Sequence, residues 1–378
     1  MTGQHVAHIE FLNFLSLACA LAALSFWICV ALILLDSRLP WFRRRTNDLS
    51  AGQSMHTHRT PRVGGIAVFC ALGLGVMLAP LSIALAYAEF ILATSLIFVV
   101  GLSEDLGFRV SPRGRLLAMA GSSLLVIWFL GVWIPRAVGV PEIDGLLQYW
   151  AVGIPLTLLL TAGISNGFNL IDGVNGLAAL VAIAAAVALS EIAGLAGYPI
   201  MVDLALMFAA GIVGFALLNY PFGLIFLGDA GAYTIGFVLS WFGIAILLNA
   251  PDVSPWAILL TMYWPVVDTL LAMYRRYRGN RDVSQPDRLH VHQMVMRALE
   301  ICVLGRNRRH IANPLTTLVL APFVLAPPIA GVLLWNQNLN AFLAVLGFGV
   351  LFFSSYAAIP GLIRRFRIQW PTGPDLPR

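Results

Sequence analysis

Unbroken apolar runs of about 20 residues recur through this 378-residue chain, and they constrain its fold more than any other feature. A run of that length, wound as an α-helix, crosses the hydrocarbon core of a bilayer. Transmembrane β-strands would instead alternate polar and apolar residues. Hydrophobic residues make up 59% of the chain and charged residues 11%, where a soluble domain carries about a quarter charged residues. The fold class expected is therefore an all-α polytopic membrane protein. Spans are expected at 11–35, 64–88, 89–103, 114–135, 149–166, 176–195, 199–218, 231–250, 254–274, 314–335 and 339–360. These make eleven spans in a single integral membrane domain covering 1–378. The first run, Phe11 to Leu35, is longer than the apolar core of a secretory signal and follows no basic residue. It reads as a true span.

The connections between spans divide sharply by charge. One side holds 36–63, 104–113, 166–175, 219–230, 275–313 and the tail 361–378. All 23 basic residues are arginines, and all but Arg136 fall on that side. The positive-inside rule makes it cytoplasmic, with the N-terminus outside and the C-terminus inside. The opposite connections are short and acidic, with Glu89, Glu142, Asp144, Glu191 and Asp252. The arginine-rich segment 38–45 is expected to meet anionic headgroups. In the largest inner connection, Val291, Met294, Val295, Ala298 and Cys302 form one helical stripe, with His292, Arg297 and Glu300 off it. The four cysteines, Cys19, Cys29, Cys70 and Cys302, make no disulfide or metal framework and read as packing residues.

Six stretches carry unusual polarity, and all fall on the arginine-rich side. The densest runs from Asn166 to Gly176, with three Asn, one Asp and three Gly. Such polarity at a membrane edge is costly unless something binds it. The others are His56 to Gly65, the pair Glu104-Asp105, Asn219 with Phe226 to Gly231, Asp268, and Asp287 to His292. Adjacent carboxylates at Glu104 and Asp105 raise one another's pKa unless a cation offsets them. By itself the pair also has a reading as a solvated helix end. Asp229, between Gly228 and Gly231, reads either as a helix cap or as a ligand for a hard divalent cation. His290 and His292 beside Arg288 suit phosphate better than zinc, since no cysteine accompanies them. The Gly-rich turn after Arg62 can turn backbone N–H groups toward an anion.

In order along the chain, Thr60-Pro61-Arg62-Val63-Gly64-Gly65, Gly101 to Asp105, Asn166 to Leu177, Phe226 to Gly231 and Asp287 to His292 resemble the motifs of one family. It is the polyprenyl-phosphate N-acetylhexosamine-1-phosphate transferases, glycosyltransferase family 4. The resemblance spans roughly 11–360 and is nearest to the branch that initiates O-antigen and related surface glycans. It implies Mg²⁺ held by Asn169 and Asp229, with Mn²⁺ able to substitute. It implies that Glu104 and Asp105 lie beside the lipid phosphate and that Asn166 and Asp172 shape the site. Asn175, Asn219 and Phe226 would meet the nucleotide, with Phe226 stacking on uracil, and Arg62 would bind substrate. Arg288, His290 and His292 would contact the diphosphate. Three positions depart from the family pattern: Glu104 stands where Asp is usual, Asn175 where a second acid is, and Gln293 where a third histidine is. Glutamate's extra methylene moves its carboxylate by about 1.5 Å.

The activity implied is transfer of a HexNAc-1-phosphate, by default GlcNAc-1-phosphate, from a UDP-sugar to undecaprenyl phosphate, releasing UMP. Direct attack by the lipid phosphate, oriented or deprotonated by Asp105, is the favoured route, with a covalent phospho-aspartate as its alternative. The resemblance further implies the bacterial inner membrane, an active site on the cytoplasmic face and a homodimer. Membrane lipid is an expected partner and nucleic acid is not. Rival readings are a phospho-MurNAc-pentapeptide transferase, a secondary transporter using the Asn/Asp stretch as a broken-helix site, and a non-catalytic scaffold.

Overall fold

The computed structural model describes residues 2–36, 38, 60–78, 81–278, 289–305 and 308–366. Among them there is no strand. The helices, in chain order, are α1 (Thr2–Asp36), α2 (Gly64–Leu78), α3 (Leu81–Asp105), α4 (Pro112–Leu130), α5 (Pro141–Asp144), α6 (Trp150–Ile171), α7 (Leu177–Leu195), α8 (Pro199–Asn219), α9 (Gly228–Asn249), α10 (Pro255–Thr261), α11 (Tyr263–Arg278), α12 (Val291–Leu299), α13 (Arg309–Leu333) and α14 (Asn338–Phe366). Nine of the described helices are individually long and apolar enough to cross a membrane, and α10 with α11 makes a tenth, bent by 85°. The remaining expected span corresponds to α2, which at 15 residues is shorter than a membrane crossing.

Two expected boundaries are corrected. The run 64–88 does not stay one helix: α2 ends at Leu78 and α3 starts at Leu81, so Glu89 lies within α3 rather than in a connection. Pro80 stands between them in the sequence, and proline suits the start of a helix but not its interior. The run 254–274 is broken at Met262. Pro265 has no N–H to offer the Thr261 carbonyl, and its ring collides with that carbonyl in a continuous helix, so the chain turns there.

At the centre stands α9. It is buried without interruption from Gly228 to Ile244 and packs against α2, α3, α6 and α7. A helix apolar on every side belongs inside a bundle. The outer helices turn Leu117 and Trp128 of α4, or Leu339 and Val350 of α14, outward as a lipid-facing surface. At one end of the bundle, Arg136 donates to the carbonyls of Leu247, Ala250 and Val253 at 3.0–3.1 Å. Beside it, Asp144 accepts the N–H groups of Ala137, Val138 and Gly139. These bonds satisfy backbone groups left over where helices stop. The polar motifs gather at the other end.

Candidate active site

The site is built on the first turn of α9. Gly228 opens that helix with φ +75, a conformation that favours glycine, and a Cβ there would strike Asp105 Oδ2 and the Arg62 carbonyl. Asp105, the last residue of α3, accepts from the Asp229 N–H through Oδ1 and from the Ala230 N–H through Oδ2, both at 2.9 Å. A carboxylate here satisfies two N–H groups that lack intrahelical partners and lies at the positive end of the helix dipole. Asp229 is thereby fixed by Asp105. Asp105, expected beside the lipid phosphate, accepts one backbone hydrogen bond on each carboxylate oxygen.

Two further residues converge on the Asp229 side chain. Asn169 Nδ2 donates to Asp229 Oδ1 at 2.8 Å, and Arg62 NH2 lies 3.7 Å from the same oxygen. Asn169 reaches it because α6 continues through the Asn/Asp stretch to Ile171, rather than ending at 166 in an open connection as expected. Asn166, one turn earlier, shares its face. Arg62 is brought in by chain pairing: Pro61 O accepts from Phe226 N, while Gly64 N and Gly65 N donate to Phe226 O and Leu227 O at 2.8–2.9 Å. Asp172 caps α6 beyond its last turn. Desolvation pushes its carboxyl up to about 7, with Arg62 pulling down, Asp229 pushing up and a bond from the Gly228 backbone pulling down.

Glu104 faces the other way. Its Oε1 lies 3.3 Å from Arg115 NH1 of α4, which also donates to the Tyr233 hydroxyl at 3.3 Å. Neither Arg115 nor Tyr233 stood out in the sequence, because each is a single polar group in an otherwise apolar span. A third group lies behind α6. Asp268 Oδ2 and His290 Nδ1 are 2.8 Å apart and both side chains are buried. His292 stacks on His290 with ring centroids 5.7 Å apart, and its Nε2 faces Gly173. Neither His292 ring nitrogen has a hydrogen-bond partner among the described residues. Desolvation lowers its pKa to about 4, outweighing the upward pull of Asp268, while His290 lowers it further, so the ring is neutral. The stripe reading had left His292 off the buried side of its helix; instead it is fully enclosed.

Asn175 and Asn219, expected at the nucleotide, hold the turn between α6 and α7. Asn219 Oδ1 accepts from Gly176 N at 2.7 Å and its Nδ2 donates to Ile225 O at 2.8 Å. Asn175 donates from N to Asn313 Oδ1 and from Nδ2 to Pro221 O, leaving its buried Oδ1 without a partner among the described residues. Phe226 is half-buried and bound into the pairing with Pro61. Arg288 and Asp287, with His56 to Arg59, lie outside the described residues.

The family model described as glycosyl transferase family 4 matches residues 87–247. A probable undecaprenyl-phosphate N-acetylglucosaminyl 1-phosphate transferase of Bacillus subtilis (strain 168) is 25% identical over 320 residues, 84% of this chain and 85% of the relative. The undecaprenyl-phosphate alpha-N-acetylglucosaminyl 1-phosphate transferase of Yersinia pestis is 28% identical over 254 residues, 64% of this chain and 67% of its own. The decaprenyl-phosphate N-acetylglucosaminephosphotransferase of Mycolicibacterium smegmatis is 29% identical over 277 residues, covering 65% and 67%. The match to this family model and the names of these relatives support glycosyl transferase family 4 for the chain. The stretch that matches family 4 holds Glu104, Asp105, Arg115, the Asn/Asp turn, Asn219, Phe226, Asp229 and Tyr233. Arg62, Asp268, His290 and His292 lie outside that stretch, and the fold brings them to it.

The donors present decide whether this site suits a metal. Among the described residues, no three His, Cys, Asp or Glu side chains converge as a metal cage. What converges is an aspartate and an asparagine, with a second carboxyl on Asp172 close enough to feel Asp229. Mg²⁺ takes oxygen ligands, keeps several waters and is commonly held by one or two carboxylates plus substrate phosphates. Rotating the Asn169 amide exchanges its Nδ2 for Oδ1, turning a donor to Asp229 into a second oxygen ligand. The donor set fits.

Proposed function

We propose that this protein transfers N-acetylglucosamine 1-phosphate from UDP-N-acetylglucosamine to a polyprenyl phosphate, undecaprenyl phosphate by default. The observation that carries the reading is the meeting of Arg62, Asp105 and Asn169, from three separate segments, on Asp229. The names of the relatives support both the sugar and the polyprenyl acceptor.

An oxygen of the lipid phosphate attacks the phosphorus that bears the sugar. The bond from that phosphorus to the bridging oxygen breaks, and UMP departs with the electron pair. The acceptor is already an anion at neutral pH, so the obstacle is the approach of like charges rather than deprotonation. Asp229 and Asn169 would hold Mg²⁺, which when bound neutralises the diphosphate. Arg62, next to Asp229, contributes a guanidinium suited to phosphate oxygens. Arg115, held by Glu104 and Tyr233, does the same from the side where Leu116 and Leu117 face lipid. Asp105 is a positioning residue that fixes Asp229. Asp172, whose carboxyl burial raises above its ordinary value, lies close enough to Asp229 to shape the charge beside it. Phe226 and the His290–His292 pair bound the nucleotide side.

The arginine asymmetry supports a cytoplasmic site, an outside N-terminus and an inside C-terminus in a bacterial inner membrane. A cytosolic nucleotide sugar and a membrane-borne phosphate then meet at that face. The test is transfer of radiolabel from UDP-N-acetylglucosamine into an organic-extractable product, with one UMP per product, by purified protein given undecaprenyl phosphate. Failure with that donor but success with another UDP-HexNAc would correct the sugar; failure with every UDP-sugar would reject the reading.

A further inference from the structure

Behind the site lies an apolar slot of about 290 Å³, bounded by α11, α12, α13 and α14. From α14 it is lined by Phe348, Phe352, Ser355, Ile359 and Leu362, one stripe at helical spacing. Tyr263 packs on Phe348 and Trp264 on Phe352, with ring centroids 6.0 and 5.2 Å apart. On the outer side, Val319, Phe323, Leu351 and Leu362 are each more than a third exposed, so the slot opens toward the surface that faces lipid.

Arginines gather at the site end of this slot. Arg275 of α11 lies over the Tyr356 ring at 5.4 Å, next to the slot-lining Ser355. Arg364 and Arg365 follow Leu362 on the same helix and are exposed. No acidic residue occurs anywhere in α14. An apolar channel ending in guanidinium groups matches the two halves of an anionic phospholipid: acyl chains for the slot, phosphate for the arginines.

We infer that this slot binds one anionic phospholipid, a lipid distinct from the substrate. The slot's lining includes none of Arg62, Glu104, Asp105, Arg115, Asn169, Asp172 or Asp229. It is separated from them by α12, which turns Val291 and Val295 to the slot and His292 to Gly173. A substrate chain lying here would bring its phosphate to Arg275, behind α12, rather than to Asp229. The bound phospholipid buttresses the short helix that carries His292.

The test is native mass spectrometry of the full-length protein from nanodiscs of phosphatidylcholine containing about one phosphatidylglycerol in five. Expected is one tightly held phosphatidylglycerol, enriched about fivefold over the bulk lipid ratio. The triple variant Arg275→Gln, Arg364→Gln, Arg365→Gln should return that ratio to bulk, and Ala358→Trp, which fills the slot, should remove the retained lipid. A wild-type lipid ratio equal to bulk would overturn the inference without reference to any variant. So would unchanged enrichment in the triple variant, or one-for-one displacement of the phosphatidylglycerol by undecaprenyl phosphate. The readout is lipid bound, not turnover, so failure here and failure of the transferase reading are separate results.

Discussion

Arg115 touches two side chains. Its NH1 is shared between Glu104 and Tyr233, and its position in the first turn of α4, next to Leu116 and Leu117, sets it at the lipid edge. Arg115→Ala should reduce kcat/KM for the polyprenyl phosphate about 100-fold, with a smaller change in KM for the UDP-sugar, since charge-assisted contacts to phosphate are worth about 1.5–3 kcal/mol. Steady-state kinetics with each substrate varied in turn will check it. His292 makes a different prediction. Its folded pKa, about 4, lies below its ordinary 6.5, so the unfolded chain binds the extra proton and stability falls as pH drops from about 6.5 toward 4. Asp172, raised to about 7, acts with opposite sign, losing stability as pH rises toward that value. The melting temperature of wild type minus that of His292→Gln, followed from pH 7 to pH 5, should therefore decrease. Residues such as Asp229, Asn169 and His290 are legible in the sequence because they sit in dense polar clusters inside an apolar chain. Arg115 and Tyr233 are not, because each gains its meaning only from a neighbour in space. Asn219 illustrates the converse: its polarity is visible, but its engagement with Gly176 and Ile225 depends on the turn it closes.

Among elements, α9 and the segment before α2 depend on each other. Gly65 lies so close to Gly231 that a Cβ would collide with its backbone, and the same contact keeps the Pro61–Gly65 pairing with Phe226 and Leu227 in register. Gly65→Ala should separate the two segments, cost about 1–3 kcal/mol and withdraw Arg62 from Asp229. A lowered melting temperature together with loss of turnover, both relieved little by added Mg²⁺, is the expected outcome in thermal and kinetic assays. The long helices were legible because length and apolarity alone define them. The break at Met262 was not. Pro155 in α6 and Pro314, Pro322, Pro327 and Pro328 in α13 all sit inside helices that continue, so a proline in an apolar run does not by itself announce a break. At Met262, just ahead of Pro265, the chain turns by 85°, and this swings α11 so that Gly167 of α6 packs against Pro265 and Thr269 and Asp268 meets His290. Likewise the run from Asn166 to Gly176 reads as a loop by polarity, yet its first half is helix, with Asn169 turned to the site while its backbone stays within α6.

For the whole molecule, the proposed transfer rests on the gathering of polar ends at one pole of the bundle. The orientation proposed from arginine asymmetry predicts that, in a cysteine-free background, Glu142→Cys reacts with an impermeant maleimide in intact cells whereas Ser284→Cys reacts only after lysis. The reverse pattern would invert the topology and put the site on the wrong side for a cytosolic donor. The central claim concerns a cation held between Asn169 and Asp229 and the two anionic reactants it brings together. Its most direct test is UMP release titrated with Mg²⁺ for wild type and Asp229→Ala in the presence of UDP-N-acetylglucosamine and undecaprenyl phosphate. The account predicts saturable Mg²⁺ dependence in wild type and loss of release by about 1,000-fold or more in the variant, even at high Mg²⁺. Release by Asp229→Ala at near wild-type rates, or with an unchanged Mg²⁺ midpoint, would contradict it.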